Sequence, residues 1–155
     1  MNKIVCITLV VLWFSNNTKA QSIQIVKFNE LKQRVFNHSD TTYVVNFFAS
    51  WCKPCLDEMP TFIEFIDSTK NTKTKVLFVS VDLKNELDKS LKTVVEKYNL
   101  PPIYLLDETN ANNWINNIDK NWSGAIPATL IVKKGKKKHF IESVISYQNL
   151  INLTK

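Results

Sequence analysis

The 155-residue chain contains only two glycines and five prolines, too few for a collagen-like, linker-rich or low-complexity architecture. No period of twenty to fifty residues repeats along it, which excludes a solenoid. Three cysteines are too few for a disulfide scaffold, so a hydrophobic core must hold the fold and cysteine is there for chemistry. The two histidines, His38 and His139, are isolated, and there is no second C-x-x-C, so four zinc ligands do not assemble from the sequence. What the chain does have is core material. It is 45% hydrophobic, with nine Phe and four Trp, the make-up of one compact domain and not of a disordered segment. Its net charge of +6 owes much to the Lys133–Lys138 cluster. With no aromatic residues interleaved, that cluster reads as a solvated hairpin, and no nucleic-acid partner is expected.

The first twenty residues read separately. Met1-Asn2-Lys3 is a short positive start, Ile4 to Phe14 is an apolar run broken only by Thr8, and Ser15 to Ala20 is a polar stretch ending in a small residue. This is the grammar of a secretory signal peptide (residues 1–20), with cleavage expected after Ala20. The run is shorter than the roughly 20 residues a membrane span needs, so an uncleaved anchor is the weaker reading. Cys6 would leave with the segment. The remaining domain, residues 21–155, then keeps Cys52 and Cys55 in a periplasmic or secreted setting where disulfides persist.

From Ser22 onward extended and helical patterns alternate. Ile23–Phe28 reads as a strand, and Asn29 as the cap of a helix carrying Leu31, Val35 and Phe36. Tyr43–Ala49 is a nearly unbroken β-branched and aromatic run, as expected of a strand covered on both faces. From Lys53 to about Ser68, Cys55, Met59, Phe62, Ile63 and Ile66 fall on one helical face, with Pro60 expected to kink the helix. Val76–Val81 is a second buried strand, so residues 43 to 81 form a β-α-β crossover. Asn85 is the expected cap of a helix with the stripe Leu87, Leu91, Val94, Val95 and Tyr98, stopped by Pro101-Pro102. Ile103–Leu106 is a short strand, and Trp114, Ile115 and Ile118 mark a short helix. Ala128–Lys133 and Lys137–Ile141 flank Lys134-Gly135-Lys136 as a hairpin, and a last helix lies near Gln148–Leu153. The fold class is α/β, a mixed sheet with helices on both faces.

The chemistry sits in Trp51-Cys52-Lys53-Pro54-Cys55, where the buried strand meets the long helix. Two cysteines three apart on a first helical turn can close a small disulfide ring or open it by exchange. Unpaired N–H groups and the positive end of the helix dipole favour a thiolate there, bringing a cysteine pKa to roughly 3.5–7.5 from about 8.5. Cys52, at the strand-to-helix turn, is expected to be exposed and nucleophilic. Cys55, on the apolar face, is expected to be the buried resolving thiol. Pro54 suits the first turn, where its missing N–H costs nothing, and the charge of Lys53 would help a thiolate. Trp51 reads as a surface aromatic for partner docking, Trp114 and Trp122 as packing. The competing reading is a non-catalytic module that carries copper, since soft thiolates bind Cu(I) and His139 would be a distant third ligand.

The stretch Asn46-Phe47-Phe48-Ala49-Ser50-Trp51-Cys52-Lys53-Pro54-Cys55, followed by Glu58, Met59 and Pro60, resembles the N-F-W-A-x-W-C-x-P-C-x-x-E-x-P signature of extracytoplasmic thioredoxin-fold proteins of the TlpA/ResA type. Ala125-Ile126-Pro127-Ala128-Thr129-Leu130 resembles the segment that bears the cis-proline of that family. The resemblance spans roughly residues 23 to 145 and implies a thioredoxin-like fold and thiol-disulfide oxidoreductase activity without a cofactor or metal. It implies that Pro127 is cis and packs on the disulfide, and that the Ile126 backbone pairs with substrate beside Trp51 and Pro54. Asn46 stands where thioredoxin has a buried Asp that takes the proton of the second cysteine. Glu58 is then either the proton relay or a structural helix carboxylate, and Glu86 is the nearest match to an acid that some members carry just after the next strand. The partners implied are oxidised or reduced exported proteins, apocytochrome c among them, and a membrane thiol reductant. The chain is expected to act as a monomer.

Overall fold

The computed structural model describes residues 22–108 and 110–155; the expected signal segment, its cleavage site and Cys6 lie outside them. The chain order is β1 (Ile23–Val26), α1 (Phe28–Val35), β2 (Thr42–Phe48), α2 (Lys53–Thr69), β3 (Thr74–Ser80), α3 (Lys92–Lys97), β4 (Ile103–Leu106), α4 (Ala111–Ile118), β5 (Ala128–Lys133), β6 (Lys136–Ile141) and α5 (Tyr147–Thr154). The strands form one sheet in the order β1-β4-β3-β2-β5-β6. The first four are parallel, while β5 runs antiparallel to β2 and β6 antiparallel to β5.

β2 lies inside this sheet, and all seven of its residues are buried. Covered on both faces, it has no reason to alternate, which is why its sequence is an unbroken T-Y-V-V-N-F-F. Its even residues and odd residues serve two separate cores. Val44 and Phe48 pack with Phe78, Leu105 and Ile131 under α2, α3 and α5, while Val45 and Phe47 pack with Val79, Leu106 and Leu130 under α1 and α4. Aromatic contacts tie each layer: Phe78 meets Phe48 and Phe62 edge-on, at ring separations of 6.2 and 5.7 Å. On the other face Phe47 meets Trp114 and Trp122 at 6.0 and 4.9 Å.

Local differences from the sequence-based expectations have physical causes. α2 buries Cys55, Glu58, Met59, Phe62 and Phe65; Ile63 and Ile66 are only half-buried. The stripe is turned toward Glu58 because that carboxylate bonds inward to Asn46 and to the backbone entering α5. Pro60 lies within the helix, on its exposed side. Lys27, not Asn29, takes the N-cap position of α1, without a side-chain cap. Asn85 caps nothing. It lies in a 3-10 turn (Lys84–Glu86), followed by a wide π turn (Leu87–Leu91) that leads into α3. The β5–β6 hairpin is tighter than expected, because Lys134 and Gly135 both take positive φ, the geometry of a two-residue hairpin turn.

Candidate redox site

β2 ends at Phe48 and α2 begins at Lys53, so Ala49-Ser50-Trp51-Cys52 is the turn between them. Cys52 is the N-cap of α2, and its Sγ accepts a hydrogen bond from the Cys55 N–H at 3.3 Å. That is one of the orphan helix donors aimed at sulfur, the interaction that stabilises a thiolate. Cys52 and Cys55 form a disulfide, S–S 2.04 Å, with Cα atoms 5.3 Å apart. Cys55 is fully buried as expected, but Cys52 is only 5% exposed, which corrects the expectation of an exposed sulfur. Bonding to Cys55 draws Sγ against the helix start, and the Ile126 carbonyl oxygen lies 3.8 Å from it. The exposed groups are its neighbours, Trp51 at 69% and Pro54. Lys53 does not point its charge at the sulfur. It pairs with Asp57 at 2.7 Å one turn along the exposed helix face, and that bond raises the lysine above its ordinary pKa.

β5 pairs Ala128 with Phe47, which brings the loop before β5 beside the Cys52 turn. Within that loop the Ile126–Pro127 bond is cis and Pro127 is buried. The loop is tied down by Glu142, just past β6, whose carboxylate accepts from the N–H groups of Ser123 and Ala125 at 3.1 Å each and from the Ser123 hydroxyl. The Ser123 bond is the main reason the Glu142 carboxyl is held below its usual range. Trp122 Nε1 donates to the Ala125 carbonyl at 2.8 Å. Gly124 takes φ +92, and a Cβ there would come within 3.2 Å of Ile115 Cδ1. Glu142 has no sequence signal: it is a lone acid after a strand.

Asn46 and Glu58, twelve residues apart, meet inside the protein. Glu58 is 3% exposed; its Oε1 accepts from Asn46 Nδ2 at 2.8 Å and its Oε2 from the Ile145 N–H at 3.0 Å. Burial raises its pKa above the ordinary value, against the opposing effect of the two hydrogen bonds. Asn46 Oδ1 is buried without a partner. Because an amide's two ends exchange by rotation about one bond, Asn46 can donate to the Glu58 carboxylate through Nδ2 or accept from the carboxylic acid through Oδ1. The pair thus serves both protonation states.

A pKa higher in the folded than in the unfolded chain means that the native state binds more protons between the two values, so stability falls as pH rises through that window. Glu58→Gln removes this dependence. The variant is expected to match the parent near pH 4 and to be the more stable of the two at pH 8. Urea unfolding at the two pH values is the check; equal stability differences at both would contradict it.

The acid that follows β3 next to the site is Asp82, not Glu86. Asp82 is buried, and it accepts from Ser50 N–H at 2.9 Å, Ser50 Oγ at 2.7 Å and Ser80 Oγ at 2.7 Å. Glu86 stands one layer out, accepting from Ser90 Oγ at 3.0 Å. Asp82 has no signal of its own in the sequence, because a V-S-V-D strand end reads as the start of a loop. A hollow of about 260 Å³ opens between Trp51, Asp82, Leu83, Glu108, Trp114 and Ile126, bordering the redox pair. A separate hollow is lined by Lys133, Lys136, Lys138 and His139. His139 therefore faces other cations and not the cysteines, and no group of three or more His, Cys, Asp or Glu side chains converges among the described residues.

Comparison with known proteins bears on the family and the fold. The sequence profile of the AhpC/TSA family matches residues 10–139. Among curated proteins, none matches the chain. Among solved structures, StoA from Bacillus subtilis is similar at 20% identity, covering 76% of this chain and 84% of its own, with a TM-score of 0.57. A thioredoxin-related protein from Neisseria meningitidis serogroup B is similar at 19% identity, covering 75% and 84%, TM-score 0.63. A secreted Mycobacterium tuberculosis disulfide oxidoreductase homologous to E. coli DsbE is similar at 17% identity, covering 75% and 81%, TM-score 0.57. At these identities the likeness is one of fold.

Proposed function

The chain belongs to the AhpC/TSA family, and from that premise we propose that it works outside the cytoplasm as a reductant of oxidised exported proteins. Its thioredoxin fold is of the thiol-disulfide oxidoreductase type and carries a C-x-x-C pair. The observation that carries the proposal is the asymmetry of that pair: Cys52 at the N-cap, its sulfur receiving the Cys55 N–H, and Cys55 enclosed behind it. In the reducing direction the Cys52 thiolate attacks a substrate disulfide, forming a mixed disulfide and releasing one substrate thiolate. Cys55 then loses its proton and attacks Cys52, which frees the second substrate thiolate and leaves the Cys52–Cys55 disulfide. Two electrons have moved to the substrate. Glu58, which shares the buried helix face with Cys55 and can hold a proton, is the proposed acceptor of the Cys55 proton, and Asn46 rotates to suit.

The backbone at Ile126 and the exposed Trp51 and Pro54 are the proposed substrate contacts, next to Pro127. Apocytochrome c is the proposed substrate class, and a membrane thiol reductant the source of new electrons. The extracytoplasmic setting is supported by the signal-like first twenty residues and by the secreted character of the Mycobacterium relative. The Lys-Pro pair between the cysteines also differs from the Pro-His pair of the oxidant DsbA.

Selective alkylation tests the roles. In the reduced protein at neutral pH, iodoacetamide is expected to label Cys52 at least tenfold faster than Cys55, because the Cys52 sulfur receives the Cys55 N–H at the N-cap, next to the exposed Trp51 and Pro54, whereas Cys55 is fully enclosed. Equal rates, or faster labelling of Cys55, would reverse the assignment.

A further inference from the structure

The Asp82 carboxylate has no part in the exchange steps above, yet it is built into the turn that carries the nucleophile. It is 4% exposed, and among the described residues no lysine or arginine pairs with it. Burying a carboxylate without a cation is costly unless hydrogen bonds compensate. Here they do: both oxygens face Ser50 N–H, at 3.1 and 2.9 Å, Oδ1 accepts from Ser50 Oγ and Oδ2 from Ser80 Oγ. Ser50 Oγ lies 2.8 Å from Ser90 Oγ, whose hydroxyl donates to Glu86, so the π turn before α3 braces the same point.

Ser50 is two residues from Cys52, so their Cα atoms are within about 8 Å. Asp82 also shares its hollow with Ile126, whose carbonyl touches Cys52 Sγ. The other charges near the turn do not offset it. Lys53 is taken by Asp57, Glu108 in the hollow wall is also acidic and accepts the Phe28 N–H, and Glu58 lies behind Cys55.

We propose that Asp82 is a positioning residue of the redox pair that sets its poise: it fixes the Ser50–Cys52 turn and places a negative charge beneath it, which disfavours the Cys52 thiolate and so makes the couple more reducing. The electrostatics are one-sided. The disulfide is neutral, and only the reduced form carries a thiolate for the carboxylate to repel; a couple whose reduced form is less stable is the stronger reductant. The inference rests on the exchange chemistry proposed above, but the experiment separates the two.

The oxidised protein is equilibrated with glutathione, two molecules of which become one glutathione disulfide as the protein disulfide gains two electrons and two protons. If the parent does not exchange at all, the proposed function fails. Given exchange, Asp82→Asn is expected to shift the equilibrium about tenfold toward the dithiol, about 30 mV less negative, and to lower the pH at which Cys52 becomes reactive to iodoacetamide. Ser50→Ala keeps the carboxylate and is expected to move the equilibrium less than twofold. Asp82→Ser, which leaves a hydroxyl to meet Ser50, is the second variant should the amide not fold, with the same expected shift. A folded Asp82 variant with an unchanged or more negative potential overturns the proposal, as does the failure of both variants to fold, which would make Asp82 purely structural.

Discussion

Cys55→Ser is expected to stop turnover while leaving the first half of the reaction intact. Cys52 still sits at the N-cap, and the N–H of residue 55 that bonds its sulfur is a backbone group the substitution retains. Attack on a substrate disulfide therefore proceeds, but nothing resolves the product. Mixed disulfides through Cys52 should accumulate to near one per protein chain, visible as mass-shifted species under non-reducing conditions. Steady-state reduction of disulfides should fall by about 10³-fold or more, the scale on which loss of a covalent-catalysis residue is felt. Cys52→Ser should lose turnover equally and trap nothing. A folded Cys55→Ser protein that traps no partner would break the division of labour between the two cysteines. The partners recovered bear on the finer proposal. Partners carrying a C-x-x-C-H haem-attachment motif support the apocytochrome assignment, and their complete absence rejects it while sparing the reductase.

Phe78→Ala is expected to be the most damaging single change away from the cysteines. Phe78 is fully enclosed, lies on β3 at the centre of the sheet, and is the ring that joins Phe48 of β2 to Phe62 of α2. Truncation leaves a cavity between the sheet and the helix that carries Cys55. Large-to-small changes of this kind cost about 3–5 kcal/mol, a large part of the total stability of a single domain. Thermal unfolding should fall by about 10–15 °C. A loss below about 1 kcal/mol would mean that the layer under α2 is not packed as described.

The parts of the structure legible in the sequence are those that one short stretch specifies. β2 declares itself because seven consecutive buried residues leave no room for polar alternation, and the C-x-x-C pair because strand, turn and helix start are all contained in residues 42–55. Glu58 is legible as a candidate from its place three residues after Cys55, but not its contact with Asn46, which depends on how α2 lies across β2. Asp82 and Glu142 escape sequence reasoning for the same reason: each acts on a loop distant in sequence, Asp82 on Ser50 and Glu142 on Ser123 and Ala125, and neither has a local pattern. The burial of Cys52 is also out of reach, since it comes from the disulfide and from the Ile126 carbonyl, 74 residues away. The 84–91 segment shows the limit of periodicity. Its apolar spacing fits a helix, but the chain widens into a π turn there, with Ser90 in contact with Ser50 and Glu86.

The reduction potential of the Cys52/Cys55 couple, measured in glutathione or dithiothreitol buffers, tests the central claim most directly. A dedicated reductant is expected to lie near the potential of thioredoxin, about −270 mV, whereas a value near −120 mV, that of DsbA, would make the protein an oxidant and contradict its assignment as a reductant.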